Sequence, residues 1–146
     1  MAEGLLNQIG GGRFRAFSAG SKPKDQVNPN ALKVLVDSDI PTTGFRSKSW
    51  DEFSGPAAVK MDFVFTVCDE AAGEVCPVWP GQPVTAHWGV QEPSSQGANQ
   101  AEIDRRFREV SLVLRRRIEL FVSLPIEKLD RLSLQRQVAD IGLINA

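Results

Sequence analysis

The sequence predicts an α/β fold, a parallel sheet with helices on both faces, and three observations carry that prediction. Segments of helical and strand periodicity alternate along the chain. One strand segment, Met61 to Cys68, is nearly continuous in apolar and β-branched residues, the pattern of a strand buried on both faces. A chain of 146 residues that is 42% hydrophobic is long enough for one domain with a substantial core and too short for two.

Leu5, Leu6 and Ile9 recur at helical spacing before Gly10-Gly11-Gly12, so residues 1 to 9 form a helix with a glycine stop and no preceding N-cap residue. Arg13 to Ser18 is a strand closed by Ala19-Gly20, followed by a polar loop with Pro23. Asn28 caps a second helix with Pro29 at its first position, and Leu32, Leu35 and Val36 give it an apolar stripe running down to Ile40. Pro41 ends it. A short helical turn is expected at Trp50 to Phe53, and then comes the central strand, Met61 to Cys68. A Gly- and Pro-punctuated loop, Asp69 to Pro83, precedes a short strand, Val84 to Val90, which contains the sole histidine, His87. Ile103, Phe107, Val110, Leu114, Ile118 and Phe121 then mark the buried face of a long helix, with Glu102/Arg106 and Asp104/Arg108 pairs on its exposed side. A last helix carries Leu134, Val138 and Ile141 and ends at Gly142.

Composition excludes several functions. With 17 basic against 18 acidic residues there is no net field to hold nucleic acid or an anionic membrane surface. The basic run Arg115-Arg116-Arg117 falls within the long helix and is expected on a solvated face. Two cysteines do not make a disulfide scaffold, and the first residues lack the basic and apolar regions of a secretion signal. Apolar runs fall far short of the ~20 residues of a membrane span. The expected location is the cytoplasm, with thiols reduced at rest.

The chemistry of the sequence lies in its thiols. Open parallel sheets place ligands at the carboxyl ends of their strands, which is where Cys68 stands. An ordinary cysteine is only about 3% thiolate at neutral pH, so reactivity must be created by the fold, whereas a buried cysteine at a strand end is an equally ordinary finding. Cys76 follows eight positions later on a loop containing Gly73 and Pro77. Fully extended, that stretch spans roughly 27 Å against the roughly 7 Å a disulfide allows, so the loop must fold back if the two are to join. The spacing is not that of a zinc site, and one histidine leaves a tetrahedral metal site short of ligands. His87 and Trp88 read as structural residues.

Seven segments carry a resemblance: Met1-Ala2-Glu3-Gly4-Leu5-Leu6, Ser18-Ala19-Gly20, Val27-Asn28-Pro29, Arg46-Ser47-Lys48-Ser49, Thr66-Val67-Cys68-Asp69, Cys76-Pro77-Val78-Trp79-Pro80-Gly81 and His87-Trp88-Gly89. In this order they resemble arsenate reductases of the low-molecular-weight tyrosine phosphatase fold that draw electrons from thioredoxin. The resemblance covers about residues 1 to 122, within a domain set at 1–124, and residues 125–146 form a C-terminal helical extension. It implies a three-layer α/β/α fold around a four-stranded parallel sheet, and reduction of arsenate to arsenite by three thiols in relay. A first cysteine, in a Cys-x₅-Arg loop, attacks arsenate; a second displaces arsenite; a third resolves the disulfide. Cys68 matches the second and Cys76 the third. No cofactor is implied, since electrons come from thioredoxin, glutaredoxin or a similar thiol donor.

The sequence departs from this pattern in three places. It contains no Cys-x₅-Arg loop and no strand leading into the first helix, so the chain is expected to be an N-terminally truncated form whose sheet lacks its first central strand. As given it is expected to be inactive, and a second copy or a strand-completing partner is the expected way to cover the open edge. Glu92-Pro93 stands where the family commonly has Asp-Pro, which makes Glu92 a candidate acid with one extra methylene. Seven residues separate Cys68 from Cys76, one more than is usual in the family. Two readings remain beside the reductase: a non-catalytic binding or regulatory module, and a dithiol carrier that cycles Cys68 and Cys76 without oxyanion chemistry. A phosphatase role needs the same absent loop.

Overall fold

A computed structural model describes residues 1–69, 73–74, 77–93 and 95–145. Among them the chain forms four α-helices, α1 (Ala2–Ile9), α2 (Pro29–Asp37), α3 (Gln100–Val122) and α4 (Arg131–Ile141), and two strands, β1 (Phe63–Thr66) and β2 (Val84–His87). Short 3₁₀ turns occupy Trp50–Phe53, as expected, and Ile126–Lys128. The strands run parallel with Phe63 beside Val84 and Thr66 beside His87. This is an α/β fold with a small parallel sheet.

Side-chain caps open α2, α3 and α4, and glycines follow the end of α1. α1 stops at Gly10, whose N–H still bonds Leu6, after which Gly11 takes a left-handed φ of 57° that side chains resist. Asn28 caps α2 by accepting from the Asn30 N–H at 2.9 Å, with Pro29 at the first position. Its buried residues are Ala31, Val34 and Leu35, whereas Val36 is 58% exposed, so the expected stripe is rotated by one position. Asn99 caps α3 by accepting from the Glu102 N–H, and Asp130 caps α4 by accepting from the Ser133 N–H. Of the expected α3 pairs, Glu102–Arg106 forms at 2.7 Å, but Asp104 turns to Lys33 of α2 and to Gln100 instead of Arg108. Asp104 thus clips two helices together rather than decorating one.

Three strand expectations are corrected, the simplest being Val84 to Val90, which ends as a strand at His87. Arg13 to Ser18 has no regular secondary structure and joins no ladder; the Asn7 side chain donates to the Ala16 carbonyl at 3.2 Å and accepts from its N–H at 2.9 Å. A strand exists only with a ladder partner, and among the described residues this segment has none; the nearest pairing is a lone bridge of Gly20 to Ser49 just beyond it. Met61 to Cys68 shortens to Phe63–Thr66 and is half-buried throughout, because β1 is paired on one side only, with β2. Its other edge carries no strand among the described residues.

The core gathers around Phe121 of α3, which is 1% exposed. Its ring lies 4.9 Å from Phe63 and 5.2 Å from Phe65, which share one face of β1, 5.8 Å from Trp88, and 5.2 Å from Phe14 of the 13–18 segment. Phe65 stacks on Trp88 at 4.1 Å. α4 packs against β2, burying the expected Leu134, Val138 and Ile141, with Trp88 Nε1 donating to the Val138 carbonyl at 2.8 Å and Arg131 to Gln82 at 2.7 Å.

Three solvent-facing carboxylates sit below their ordinary range: Glu52 through hydrogen bonds from Arg46, Asp104 through Lys33 and then Gln100, and Asp130 through the Ser133 backbone N–H. With folded pKa values depressed, their contribution to stability is complete above the unfolded carboxylate range near about pH 4 and is lost as pH falls through the folded values. Thermal unfolding is therefore expected to hold level above about pH 5 and to drop below it, and Asp104→Asn to remove part of that drop.

Candidate functional site

The site forms where the two parallel strands end. Cys68 is the second residue past β1, at the carboxyl end of the sheet, and is partly buried. The Trp88 N–H donates to the Thr66 carbonyl at 2.7 Å and the Val90 N–H to the Val67 carbonyl at 2.9 Å, so backbone pairing holds the chain up to the residue before the thiol.

Beyond that point side chains take over. The register puts Thr66 beside His87, and His87 Nδ1 lies 2.7 Å from Thr66 Oγ1. His87 Nε2 lies 2.9 Å from Asp69 Oδ1. An ionised carboxylate only accepts, so Nε2 carries a proton toward Asp69, and in the neutral imidazole Nδ1 then accepts from the Thr66 hydroxyl. His87 therefore bridges the residues on either side of the Val67-Cys68 dipeptide. Gly89 closes a third side: a Cβ there would stand 2.5 Å from His87 Nε2 and 2.7 Å from Asp69 Oδ1, so a side chain at this position would have to push the His87–Asp69 pair aside.

The 87–89 segment is anchored from behind by a residue expected on a solvated face. Arg117 is 2% exposed, and its guanidinium donates to the carbonyls of Trp88 at 2.8 Å, Gly89 at 3.1 Å and Ile144 at 2.8 Å. Burial pushes this guanidinium below its ordinary range. The signal was present in the spacing: Arg117 lies three residues past Leu114 and four before Phe121, on the apolar stripe itself. Gly142 at the end of α4 abuts the same segment, since a Cβ there would lie 2.5 Å from the His87 carbonyl.

The expected site residues divide accordingly. Cys68 stands in this frame, and Cys76 lies outside the described residues. Glu92 is exposed on the loop after β2. Trp88 is structural, as expected, being 3% exposed and bonded to α4. His87 bonds the side chains of Thr66, on β1, and of Asp69, in the loop that follows it. Thr66 and Asp69 escaped the sequence reading because their roles depend on which strand pairs with which.

A cavity of about 50 Å³ opens beside the start of α1, lined by Glu3, Gly4, Ser18, Leu35, Phe45 and Arg46 among others. The Ser18 hydroxyl donates to Glu3 at 3.0 Å, and Arg46 binds Glu52 through both terminal nitrogens at 2.8 and 2.6 Å. Four of the seven resemblance-bearing segments, those of Met1 to Leu6, Ser18, Val27 and Arg46, thus meet at one place.

Comparison with known proteins agrees with this architecture. The model of the low molecular weight phosphotyrosine protein phosphatase family matches residues 1–137 and so runs into α4. The arsenate reductase of Oceanobacillus iheyensis is 32% identical over 121 residues, 83% of this chain and 84% of the relative. Arsenate reductase 1 of Bacillus cereus is 34% identical over 66% of this chain and 68% of its own length, and the arsenate reductase of Staphylococcus xylosus is 30% identical over 78% and 82%. A family match over nearly the whole chain and relatives of 30–34% identity across most of both lengths lead to one conclusion: the chain belongs to the arsenate reductase family, built on the low molecular weight phosphatase fold.

Proposed function

We propose that this chain supplies the last two thiols of a relay that reduces arsenate to arsenite in the cytoplasm. The observation that supports this is Cys68 at the carboxyl end of β1, in a family whose members carry the name arsenate reductase. In the relay a first cysteine holds the arsenic as a thiol–arsenate adduct. The Cys68 thiolate attacks that cysteine's sulfur, the sulfur–arsenic bond breaks, and its electron pair leaves with arsenic, which departs as arsenite. Arsenic gains two electrons and two thiols become one disulfide. Cys76 then attacks Cys68, releases the first cysteine as thiolate and leaves a Cys68–Cys76 disulfide, which a thioredoxin-like dithiol reopens. In this reading Glu92 is the candidate proton donor to the departing oxyanion.

The 146 residues hold no Cys-x₅-Arg: Glu74 follows Cys68 by six positions and Gln82 follows Cys76 by six. The first thiol and its anion cradle must therefore come from outside these residues, and the open edge of β1 with the unladdered segment at 13–18 is where a strand bringing them would lie. A second copy of the chain could cover the same edge without restoring the chemistry.

The test couples the chain to thioredoxin, thioredoxin reductase and NADPH. The chain alone is expected to show no arsenate-dependent NADPH oxidation. Joined before Met1 to the strand and Cys-x₅-Arg loop of a relative, it is expected to turn over, and to fall to background in both Cys68→Ser and Cys76→Ser. Turnover that survives Cys68→Ser overturns the relay. A reversible Cys68–Cys76 disulfide without any arsenate turnover in the joined protein favours the dithiol carrier instead.

A further inference from the structure

We propose that His87 is a positioning residue for Cys68, holding the turn that presents the thiol; the inference rests on the relay reading of Cys68. Among the described residues the last backbone bond between the two strand segments is that of Val90 to Val67, so restraint on how the chain leaves the sheet at Cys68 comes from beyond the ladder. His87 supplies that restraint. Its ring is bonded to Thr66 at 2.7 Å on the strand side and to Asp69 at 2.9 Å on the far side of the thiol. The chain from 66 to 69 and the imidazole close a ring with Cys68 within it.

The frame that carries the imidazole is rigid. Arg117 holds the carbonyls of Trp88 and Gly89, Trp88 is buried and bonded to α4, and Gly142 sits against the His87 carbonyl. A ring fixed at its backbone and bonded at both nitrogens transmits that rigidity to Asp69. α4, inside the region expected to be a mere C-terminal extension, thereby becomes part of the support for the thiol.

Stability is a poor account of the same contacts. The His87 side chain is 41% exposed and that of Asp69 is 87% exposed, and pairs this open to water add little to folding. Their consequence is orientation. Held by His87, the Asp69 carboxylate stays on the β2 side; released, it is free to approach the neighbouring sulfur, where a negative charge opposes formation of the thiolate nucleophile.

The experiment uses the full chain in a Cys76→Ser background, so that Cys68 is the one remaining thiol, and measures its alkylation by iodoacetamide at pH 7 with thermal unfolding recorded alongside. His87→Phe keeps a ring but removes both bonds, and is expected to slow alkylation about tenfold. His87→Gln donates to Asp69 and accepts from Thr66 through one carboxamide, and is expected to stay within about threefold of the parent. Thr66→Val, which breaks one bond without changing shape, is expected to fall between them and serves if His87→Phe fails to fold. Alkylation unchanged in His87→Phe and Thr66→Val overturns the proposal. Equal loss in His87→Phe and His87→Gln also overturns it, because rescue by hydrogen bonding would have failed. Disulfide formation in the parent with both cysteines intact reports on the relay separately, so failure of the one reading is distinguishable from failure of the other.

Discussion

Phe121→Ala is expected to be the most destabilising single change in the chain, lowering the free energy of unfolding by about 3–5 kcal/mol. The ring is 1% exposed and meets Phe14, Phe63, Phe65 and Trp88, so its removal opens a cavity whose aromatic walls belong to three different segments and cannot collapse together. Against a typical net stability of about 5–15 kcal/mol, this is about a fifth of the total or more. For a chain of this size the thermal midpoint should fall by roughly 10–15 °C. Phe121→Leu, which retains part of the volume, should lose roughly half as much. The distinguishing feature is where the damage spreads. No backbone ladder joins Arg13–Ser18 to β1 among the described residues, and Phe121 is the ring that touches both Phe14 and the β1 phenylalanines. Amide exchange in residues 13–18 should therefore accelerate more than exchange in β2. Uniform acceleration across the chain would mean that the 13–18 segment is held by something other than this cluster.

The helices were legible in the sequence because a helix is a local object. Asn28-Pro29, the α3 stripe from Ile103 to Phe121, and Leu134, Val138 and Ile141 of α4 each announce themselves within a few turns, and all take their expected places. Strands are different, since pairing partners lie far away in sequence. Arg13 to Ser18 has strand composition, yet composition cannot supply a neighbour, and the Asn7 side chain satisfies Ala16 where a ladder would have done so. The thiol was legible as chemistry and its frame was not. Cys68 stands out by position at a strand end, but the bridge of His87 to Thr66 and Asp69 exists only in the parallel register that sets residue 66 beside residue 87. Arg117 was misplaced for another reason. A basic triplet reads as solvated on average, and the average hid the one member of the three that falls on the buried stripe.

That misplacement leads to the second large effect. Arg117→Met is expected to cost about 2–3 kcal/mol, whereas Arg116→Met, one residue away and exposed, should change stability by no more than about 0.5 kcal/mol. Two opposed quantities set the first figure. Removing the guanidinium abolishes the cost of keeping a charge out of water, the cost that already pushes it below its ordinary range. It also leaves the carbonyls of Trp88, Gly89 and Ile144 without their donor, at about 1–3 kcal/mol for each that water cannot reach. Three acceptors against one charge make the second effect the larger. Arg117→Lys should recover little of the loss, because a single ammonium cannot serve Ile144 through one nitrogen and Trp88 and Gly89 through another, as the planar fork does. The two ends of the network should also respond separately. Release of Ile144 should expose residues 142–145 to proteolysis, and loosening of Trp88 and Gly89 should reach His87 and slow alkylation of Cys68 in the single-thiol background. If Arg117→Met frees the C-terminal residues but leaves Cys68 unchanged, the frame behind His87 is held by Trp88 and Gly142 alone, and the link from α3 to the thiol does not exist.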